Sequence, residues 1–577
     1  PRKARVRENL ESVAARIRDV GAAHDVLVFP ETALSGYFLQ GGVGEAARTA
    51  AEVAEGLGAP PPGAPDVVVG FYERWRRRFY NSVAWLTPGD GAWQVLHVHR
   101  KMFLPTYGVF DEARFVEPGT ELRTVDTRYG RVGMLVCEEL WHSLPAAVLA
   151  VGGAELVVVV SASPARELRA GEGGLPANLA RWDRLARSAA EEHGIFVVVA
   201  HLVGSEGGKL FAGGSLAVGP DGGVLARGPL LEEEVVTAVL DGVHVERART
   251  EAPLLADLEQ MLPHLEGALS DARKDGVRVG VGVRGDAGVP PLHGRGGPAP
   301  LVPTGPDCLE LDLELVEAAL VRFIRDEVVT RRGFGKVVLG VSGGVDSAVS
   351  LALACRALGP GNVHGFRLPY ATSSPESLAH ADLVLRHTGA HARTIEITGP
   401  VDAYVEAFEP DASPQRRGNL MARNRAVILF DQSARLGALP LGTGNKSERL
   451  LGYFTWHADD SPPINPLGDL FKTQVWDLAR HLGIPAEIVE KPATADLVKG
   501  VNDEDELGIG YRDADPILYW LVRGYHAADL VRSGFDAEHV ALVERRLNAT
   551  HWKRELPTVA LLSSSAIGEF YLRPVDY

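Results

Sequence analysis

The stretch VLGVSGGVDSAV, residues 338–349, passes from an apolar β-type run through a Ser-Gly-Gly turn into a helical pattern. A glycine turn between a strand and a helix leaves backbone N–H groups and the helix N-terminus facing outward, which makes an anion site. The familiar phosphate loop has a Lys and a Ser or Thr after its last glycine; here Asp346 and Ser347 stand there instead. An acid at that place repels phosphate unless a divalent cation lies between them. Asp346 therefore reads as a Mg2+ ligand bridging to phosphate oxygens. An ordinary strand-to-helix turn is the plainer alternative, but the full Ser-Gly-Gly-x-Asp-Ser string is more specific than a bare Gly-Gly.

Around this loop, a helix over 312–329, a strand in KVVLGVS, a helix over 346–358, a strand in NVHGFRLP, a helix over 375–388 and a strand in RTIEIT alternate. Such alternation predicts a doubly wound parallel sheet. Upstream, between residue 25 and about 240, apolar runs such as DVLVFP, DVVVGF, RVGMLVC, ELVVVVS and IFVVVAH predict strands, with helices such as 178–193 between them. The chain is thus α/β in two halves, and its 577 residues exceed what one core holds. Residues 276–306 are dense in Gly and Pro and read as a connection.

Composition removes several classes of function. Lys and Arg number 59 against 75 Asp and Glu, a net charge of −16, which argues against a nucleic-acid partner. Cys137, Cys308 and Cys355 are too few and too far apart for a disulfide framework or a cysteine-rich zinc module, and they suit a reducing cytoplasm. No apolar run is long enough for a membrane span. The first twenty residues read as an amphipathic helix, with Leu10, Val13, Ala14, Ile17 and Val20 on one face, and not as a signal peptide.

Further strings narrow the second half: NLMARNRAVILFDQSARLGALPLGTGNKSERLLGYFT (419–455), INPLGDLFKTQVWDLARHLGIP and KPATADLVKGVNDEDELGIGYRDADPIL. Together with the glycine loop they resemble the ammonia-ligating NAD synthetases, enzymes that split ATP to AMP and PPi, over roughly 311–577. The resemblance implies a Rossmann-like fold of the adenine nucleotide alpha hydrolase type. It implies that Ser342, Gly343, Gly344, Val345, Asp346 and Ser347 hold the ATP phosphates, with Arg367, Thr443, Lys472 and Thr494 also serving ATP. Asp346 and Glu448 are the implied Mg2+ ligands, and Arg423 and Lys553 the implied contacts to deamido-NAD. Taken singly, each of these charges is more often a solvated surface group. Trp456 stands where stand-alone members carry a Lys.

In the first half, RVGMLVCEELW puts Cys137 at the end of an apolar strand, where a lone cysteine is usually a buried small hydrophobe. LVFPETALSGY puts Glu31 just past another strand, and HRKMFLPTYGVFDE puts Lys101 just past a third. An acid, an ammonium and a thiol at three strand ends can converge at one sheet edge. In these frames the three resemble the triad of the nitrilase superfamily, most closely its glutaminase branch fused to NAD synthetases, over roughly 7–245. The resemblance implies an α-β-β-α sandwich. It gives Glu31 as general base, Cys137 as nucleophile and Lys101 as oxyanion stabiliser, and Tyr107, Ser163 and Arg169 as glutamine contacts. Glu112 is a further acid near the site, as readily structural as functional. Ser161 (in SASP), His201 and Glu139 depart from the family's usual residues. The family also opens on a β-strand, whereas this chain starts at or near the first helix.

The expected organisation is a glutaminase domain at 1–246, a connection at 247–310 and a synthetase domain at 311–577. The expected reaction is ATP-dependent amidation of deamido-NAD with glutamine, or ammonia, as nitrogen donor and Mg2+ as cofactor, in a cytoplasmic homo-oligomer without nucleic-acid or membrane partners. The alternative is a nitrilase-type amidase carrying a non-catalytic nucleotide-binding domain.

Overall fold

The computed structural model describes residues 1–165, 168–169, 175–276, 302–492, 502–555, 560 and 562. The chain divides into two compact units, residues 1–292 with 559–577, and residues 293–558.

Unit 1 is built on two sheets. The first contains β1 (Val26–Val28), β2 (Asp66–Trp75), β3 (Arg78–Pro88) and β4 (Trp93–Arg100) in that order, with β1 parallel to β2 and the others antiparallel. The second begins with β5 (Val125–Thr127), β6 (Gly130–Val136), β7 (Leu156–Ser161) and β8 (Phe196–His201). A hairpin of β9 (Val203–Glu206) and β10 (Lys209–Ala212) follows, and β11 (Leu216–Val218) and β12 (Val224–Arg227) complete the order β12-β11-β8-β7-β6-β5. Strands β3 and β6 pack face to face between the sheets. Helix Val6–Val20 buries Leu10, Val13, Ala14 and Ile17 in one core with Leu27, Val67 and Val69 of the first sheet. Helices Ser143–Val151 and Ala177–His193 lie against β6 and β8. The result is the four-layer α-β-β-α sandwich. The valine-rich β7 and β8 are parallel and buried along nearly their whole length, as a strand covered on both faces must be. A cavity of about 590 Å3 lies beside β1 and β8, and none of Glu31, Lys101 and Cys137 lines it.

Unit 2 has four parallel strands, β13 (Val337–Gly340), β14 (Val363–Arg367), β15 (His391–Thr394) and β16 (Leu439–Pro440), in the order β15-β14-β13-β16. The chain leaves β13 toward one side of the sheet and later returns on the other. The carboxyl end of β13 is therefore a topological switch point, where open α/β sheets bind ligands.

Three local expectations shift. The strand placed in RTIEIT begins earlier, because its register pairs His391 with His364 and Thr394 with Arg367, and Ile397 is buried ahead of helix Thr398–Phe408 instead. The helix expected over 312–329 is α-helical at Leu313–Arg325 and widens to a π-turn at Asp326–Arg331, where buried Glu327 pairs with Arg331 and Arg332. Helices Val243–Glu251 and Leu254–Gly276 occupy the front of the stretch read as a connection.

Candidate active sites

In unit 1, Glu31, Lys101 and Cys137 follow β1, β4 and β6 and are all buried. Glu31 can stand at its position because residue 70 of β2 is glycine; a Cβ there would lie 2.6 Å from the Glu31 Cα. Lys101 Nζ lies 3.0 Å from Glu31 Oε1 and 2.9 Å from Glu112 Oε1. Asn81 Nδ2 donates to the same two oxygens at 2.7 and 3.1 Å, and Tyr37 donates its phenol proton to Glu112. The second oxygen of Glu31 accepts from the Ala162 backbone at 2.6 Å. Burial by itself lowers the pKa of Lys101, but Glu112 and Glu31 more than reverse this and hold it charged, well above its usual range. Burial pushes the Glu112 carboxyl up, with Lys101 opposing and Glu31 adding to the rise.

Cys137 sits in the left-handed region, φ +51°, between the end of β6 and a 3-10 turn. A non-glycine residue there stores strain of about 1–3 kcal/mol, and such strain gathers where a nucleophile must be aimed out of a strand. Thr32, next to Glu31, carries a second such angle, φ +49°. Burial, reinforced by the charge of Glu31, raises the Cys137 thiol well above its usual range, with Lys101 and the Ser161 hydroxyl opposing. Ser161 Oγ lies 3.6 Å from Sγ. The thiol is therefore neutral at pH 7, and any attack by its sulfur would need an acceptor for the proton, at a place where the charge of Glu31 is already felt.

Glu139 fixes the frame of this site. It accepts from the Val136 backbone at 2.6 Å, the Met102 backbone at 2.8 Å and His99 Nε2 at 2.7 Å, and so ties the residues flanking Cys137 and Lys101 together. One oxygen each of Glu112 and Glu138 is buried without a hydrogen-bond partner among the described residues. Tyr107 is exposed and meets Phe110 edge-on, while Ser163 accepts from Asn178 at 3.4 Å. Arg169 is half-buried, with the residues on either side, 166–167 and 170–174, outside the described set.

In unit 2 the glycine loop closes β13 and opens helix Val345–Leu358. Gly343 has φ +82°, and a Cβ on it would lie 2.3 Å from the Ser377 carbonyl oxygen, so only glycine fits. Ser342 Oγ accepts from the Gly344 N–H at 3.2 Å and meets Ser347 Oγ at the same distance. Val345 and Asp346 begin the helix, whose N-terminus faces the loop. Lys472 Nζ donates to Asp346 Oδ2 at 2.5 Å and to Glu448 Oε1 at 3.3 Å. Asn445 bridges the same acids, giving its amide to Asp346 at 3.0 Å and taking the Glu448 N–H at 2.9 Å. Burial pushes the Glu448 carboxyl up to about 8 despite Lys472. The two acids thus converge on one point beside the loop. Thr443 lies on the same segment after β16.

The remaining positions fall into two groups. Arg423 Nε donates to the Trp456 carbonyl at 3.3 Å, and Lys553 Nζ donates to the carbonyls of Gly452 and Phe454 at 2.9 and 3.0 Å, so both hold the 452–456 segment. Arg367, at the end of β14, pairs with Asp382. Thr494 lies outside the described residues. No local pattern in the sequence marks Tyr37, Asn81 or Asn445 as members of these clusters. Asn81 sits on β3, where an Asn inside the apolar RFYNSVAWL is the local sign that a polar group is needed there.

Two family models match the chain, carbon-nitrogen hydrolase over residues 2–250 and NAD synthase over 316–557. The NH(3)-dependent NAD(+) synthetase of Trichlorobacter lovleyi is 47% identical over 260 residues, which are 45% of this chain and 94% of that one. The glutamine-dependent NAD+ synthetase of Acinetobacter baumannii, solved with adenosine diphosphate, shares the fold over 100% of this chain and 97% of its own, with a TM-score of 0.69 and 23% identity. A glutamine-dependent NAD(+) synthetase of Cytophaga hutchinsonii shares the fold over 96% and 92%, with a TM-score of 0.65 and 17% identity. The chain belongs to the NAD synthetase family, in the two-domain form that joins a carbon-nitrogen hydrolase domain ahead of the synthetase domain.

Proposed function

We propose that this chain makes NAD+ from deamido-NAD, ATP and glutamine. The observation that carries the reading is the buried Glu31–Lys101–Glu112 cluster with the strained Cys137, on the same chain as the glycine loop with its converging Asp346 and Glu448. In unit 1, Cys137 Sγ attacks the carboxamide carbon of glutamine while Glu31 takes its proton. Lys101 stabilises the developing oxyanion. The C–N bond breaks, the proton passes to the leaving ammonia, and water activated by Glu31 releases glutamate from the thioester. Tyr107, Ser163 and Arg169 orient the glutamine.

In unit 2, the glycine loop and helix N-terminus hold the ATP phosphates, and the nicotinate carboxylate attacks the α-phosphorus as the bond to PPi breaks. Ammonia then attacks the activated acyl carbon, AMP leaves, and one proton is lost. Among the described residues no group of three or more His, Cys, Asp or Glu holds a metal by itself. Mg2+ usually takes one or two carboxylates and completes its shell with phosphate and water, so Asp346 and Glu448 fit it as ligands. Bound there, Mg2+ neutralises phosphate charge and eases departure of PPi. Arg423 and Lys553 serve the dinucleotide, and Arg367, Thr443, Lys472 and Thr494 the nucleotide. A homo-oligomer is supported by Tyr404, Phe408, Val427 and Phe430, all exposed on the packed helices Thr398–Phe408 and Pro414–Leu436. The isolated thiols fit a cytoplasmic setting.

The test is NAD+ formation from deamido-NAD, Mg·ATP and glutamine with AMP and glutamate counted. Equal amounts of the three products are expected. Glutamate without AMP or NAD+ would reduce the chain to an amidase.

A further inference from the structure

The two charged groups beside the glycine loop that come from elsewhere stand on two different short helices. Glu448 lies in helix Lys446–Leu451, and Lys472 opens helix Lys472–His481. A third element joins them. Asp515, on helix Tyr511–Leu521 and fully buried, accepts from Ser447 Oγ at 2.5 Å on one oxygen. Its other oxygen accepts from the Thr473 N–H at 3.0 Å and from Thr473 Oγ1 at 2.8 Å. Ser447 Oγ in turn accepts the Lys472 N–H at 2.9 Å. One carboxylate thus grips the residue before Glu448 and the residue after Lys472, and Ser447 links its two arms.

We propose that Asp515 is a positioning residue that sets the spacing of Glu448 and Lys472, and through them the affinity of the site for Mg·ATP. The proposal rests on the reading of unit 2 as a Mg·ATP site. Helix Lys446–Leu451 is only six residues long; a capping box with Asn445 closes its first turn, and the Ser447–Asp515 bond ties that turn to helix Tyr511–Leu521. At the start of helix Lys472–His481 the N–H groups of Lys472 and Thr473, unpaired within their own helix, go to Ser447 Oγ and to Asp515, and the Ser447 hydroxyl itself donates to Asp515. A carboxylate suits this place because all three of its partners donate to it. Three donors meet two acceptor oxygens, and the Thr473 N–H cannot reverse its role. An Asn can accept from Thr473 on its one oxygen, but its NH2 then donates to Ser447 Oγ, which replaces a charge-assisted bond with a weaker neutral one on the arm that reaches Glu448. Asp515 is sealed from solvent and bonds to Ser447 and Thr473, so its effect on the site passes through Glu448 and Lys472 beside them.

The experiment compares the full chain with its Asp515→Asn variant in calorimetric titrations with ATP at fixed Mg2+, and in Mg2+ titrations of ammonium-driven NAD+ synthesis. Expected are a rise in the ATP dissociation constant of at least about tenfold and a parallel rise in the Mg2+ needed for half-maximal rate. The KM for deamido-NAD and glutaminase turnover are expected to stay within about twofold. Ser447→Ala, which removes one arm only, is expected to move the same two constants by less, and it serves as the probe if Asp515→Asn does not fold. Unchanged ATP and Mg2+ constants in both variants overturn the positioning role. So does a loss of active fraction with every constant preserved, which marks Asp515 as structural only. An unaltered chain that binds no ATP in the presence of Mg2+ overturns the reading of unit 2 itself, and the proposal with it.

Discussion

The ammonium of Lys101 lies 3.0 Å from Glu31 Oε1 with both side chains sealed from solvent. A buried pair of this kind is a weak source of stability, but breaking it from one side leaves an uncompensated charge. Here two acids, Glu31 and Glu112, depend on the one cation. Lys101→Met is therefore expected to destabilise unit 1 by about 3–5 kcal/mol. In the fraction that folds, glutaminase kcat is expected to fall by about a hundredfold or more. Denaturant midpoints and glutaminase rates check the two effects separately.

Alkylation of Cys137 by iodoacetamide tests the state of the thiol. Burial and Glu31 raise its pKa, so the unliganded protein holds a neutral thiol at pH 7. The alkylation rate is expected to keep climbing past pH 9. A plateau near pH 6–7 would mean a preformed thiolate and would remove the need for Glu31 as base.

His201, at the end of β8 and paired in register with Ser161, gives a pH dependence with a definite sign. Burial, helped by Arg227, depresses its pKa to about 3. The folded state therefore keeps it neutral while the unfolded chain takes up a proton near pH 6.5. Its contribution to stability is complete above the unfolded pKa and is lost as pH falls toward the folded one. Between pH 7.5 and 5.5 that loss is about 1.4 kcal/mol. His201→Asn is expected to flatten the slope by this amount, measured from the unit 1 denaturant transition at both pH values. An unchanged slope contradicts the burial of a neutral ring.

Much of this was legible in the sequence, for reasons that differ by element. Parallel, doubly covered strands such as β7 write themselves as valine runs, and the glycine loop writes itself through Gly343, which nothing else can replace. Strand β3 was not legible, because its eleven residues mix Asn81 and Ser82 among apolar positions that face two different neighbours. Glu31, Lys101 and Cys137 could be placed at strand ends from local patterns. That Asn81, Tyr37 and Glu139 complete the cluster depends on contacts between segments 31–75 residues apart or on backbone donors, and no local pattern encodes those. Asp515 reaches across 68 residues to Ser447 for the same reason.

Asp346→Asn and Glu448→Gln separate the two reactions from the other side. Each keeps the shape of the cluster around Lys472 but puts a neutral amide where a carboxyl could ionise onto a cation. NAD+ synthesis from either nitrogen donor is expected to fall at least about a hundredfold. Glutamine hydrolysis by unit 1 is expected to persist, because its own cluster is untouched; glutamate release without NAD+ checks this.

Cys137→Ala separates the two chemistries assigned to this chain. The variant is supplied with deamido-NAD and Mg·ATP and with either glutamine or ammonium. Glutamine-driven NAD+ synthesis is expected to disappear while ammonium-driven synthesis continues near the unaltered rate. Continued synthesis from glutamine would contradict Cys137 as the nucleophile, and no synthesis from ammonium in either protein would contradict unit 2 as a synthetase.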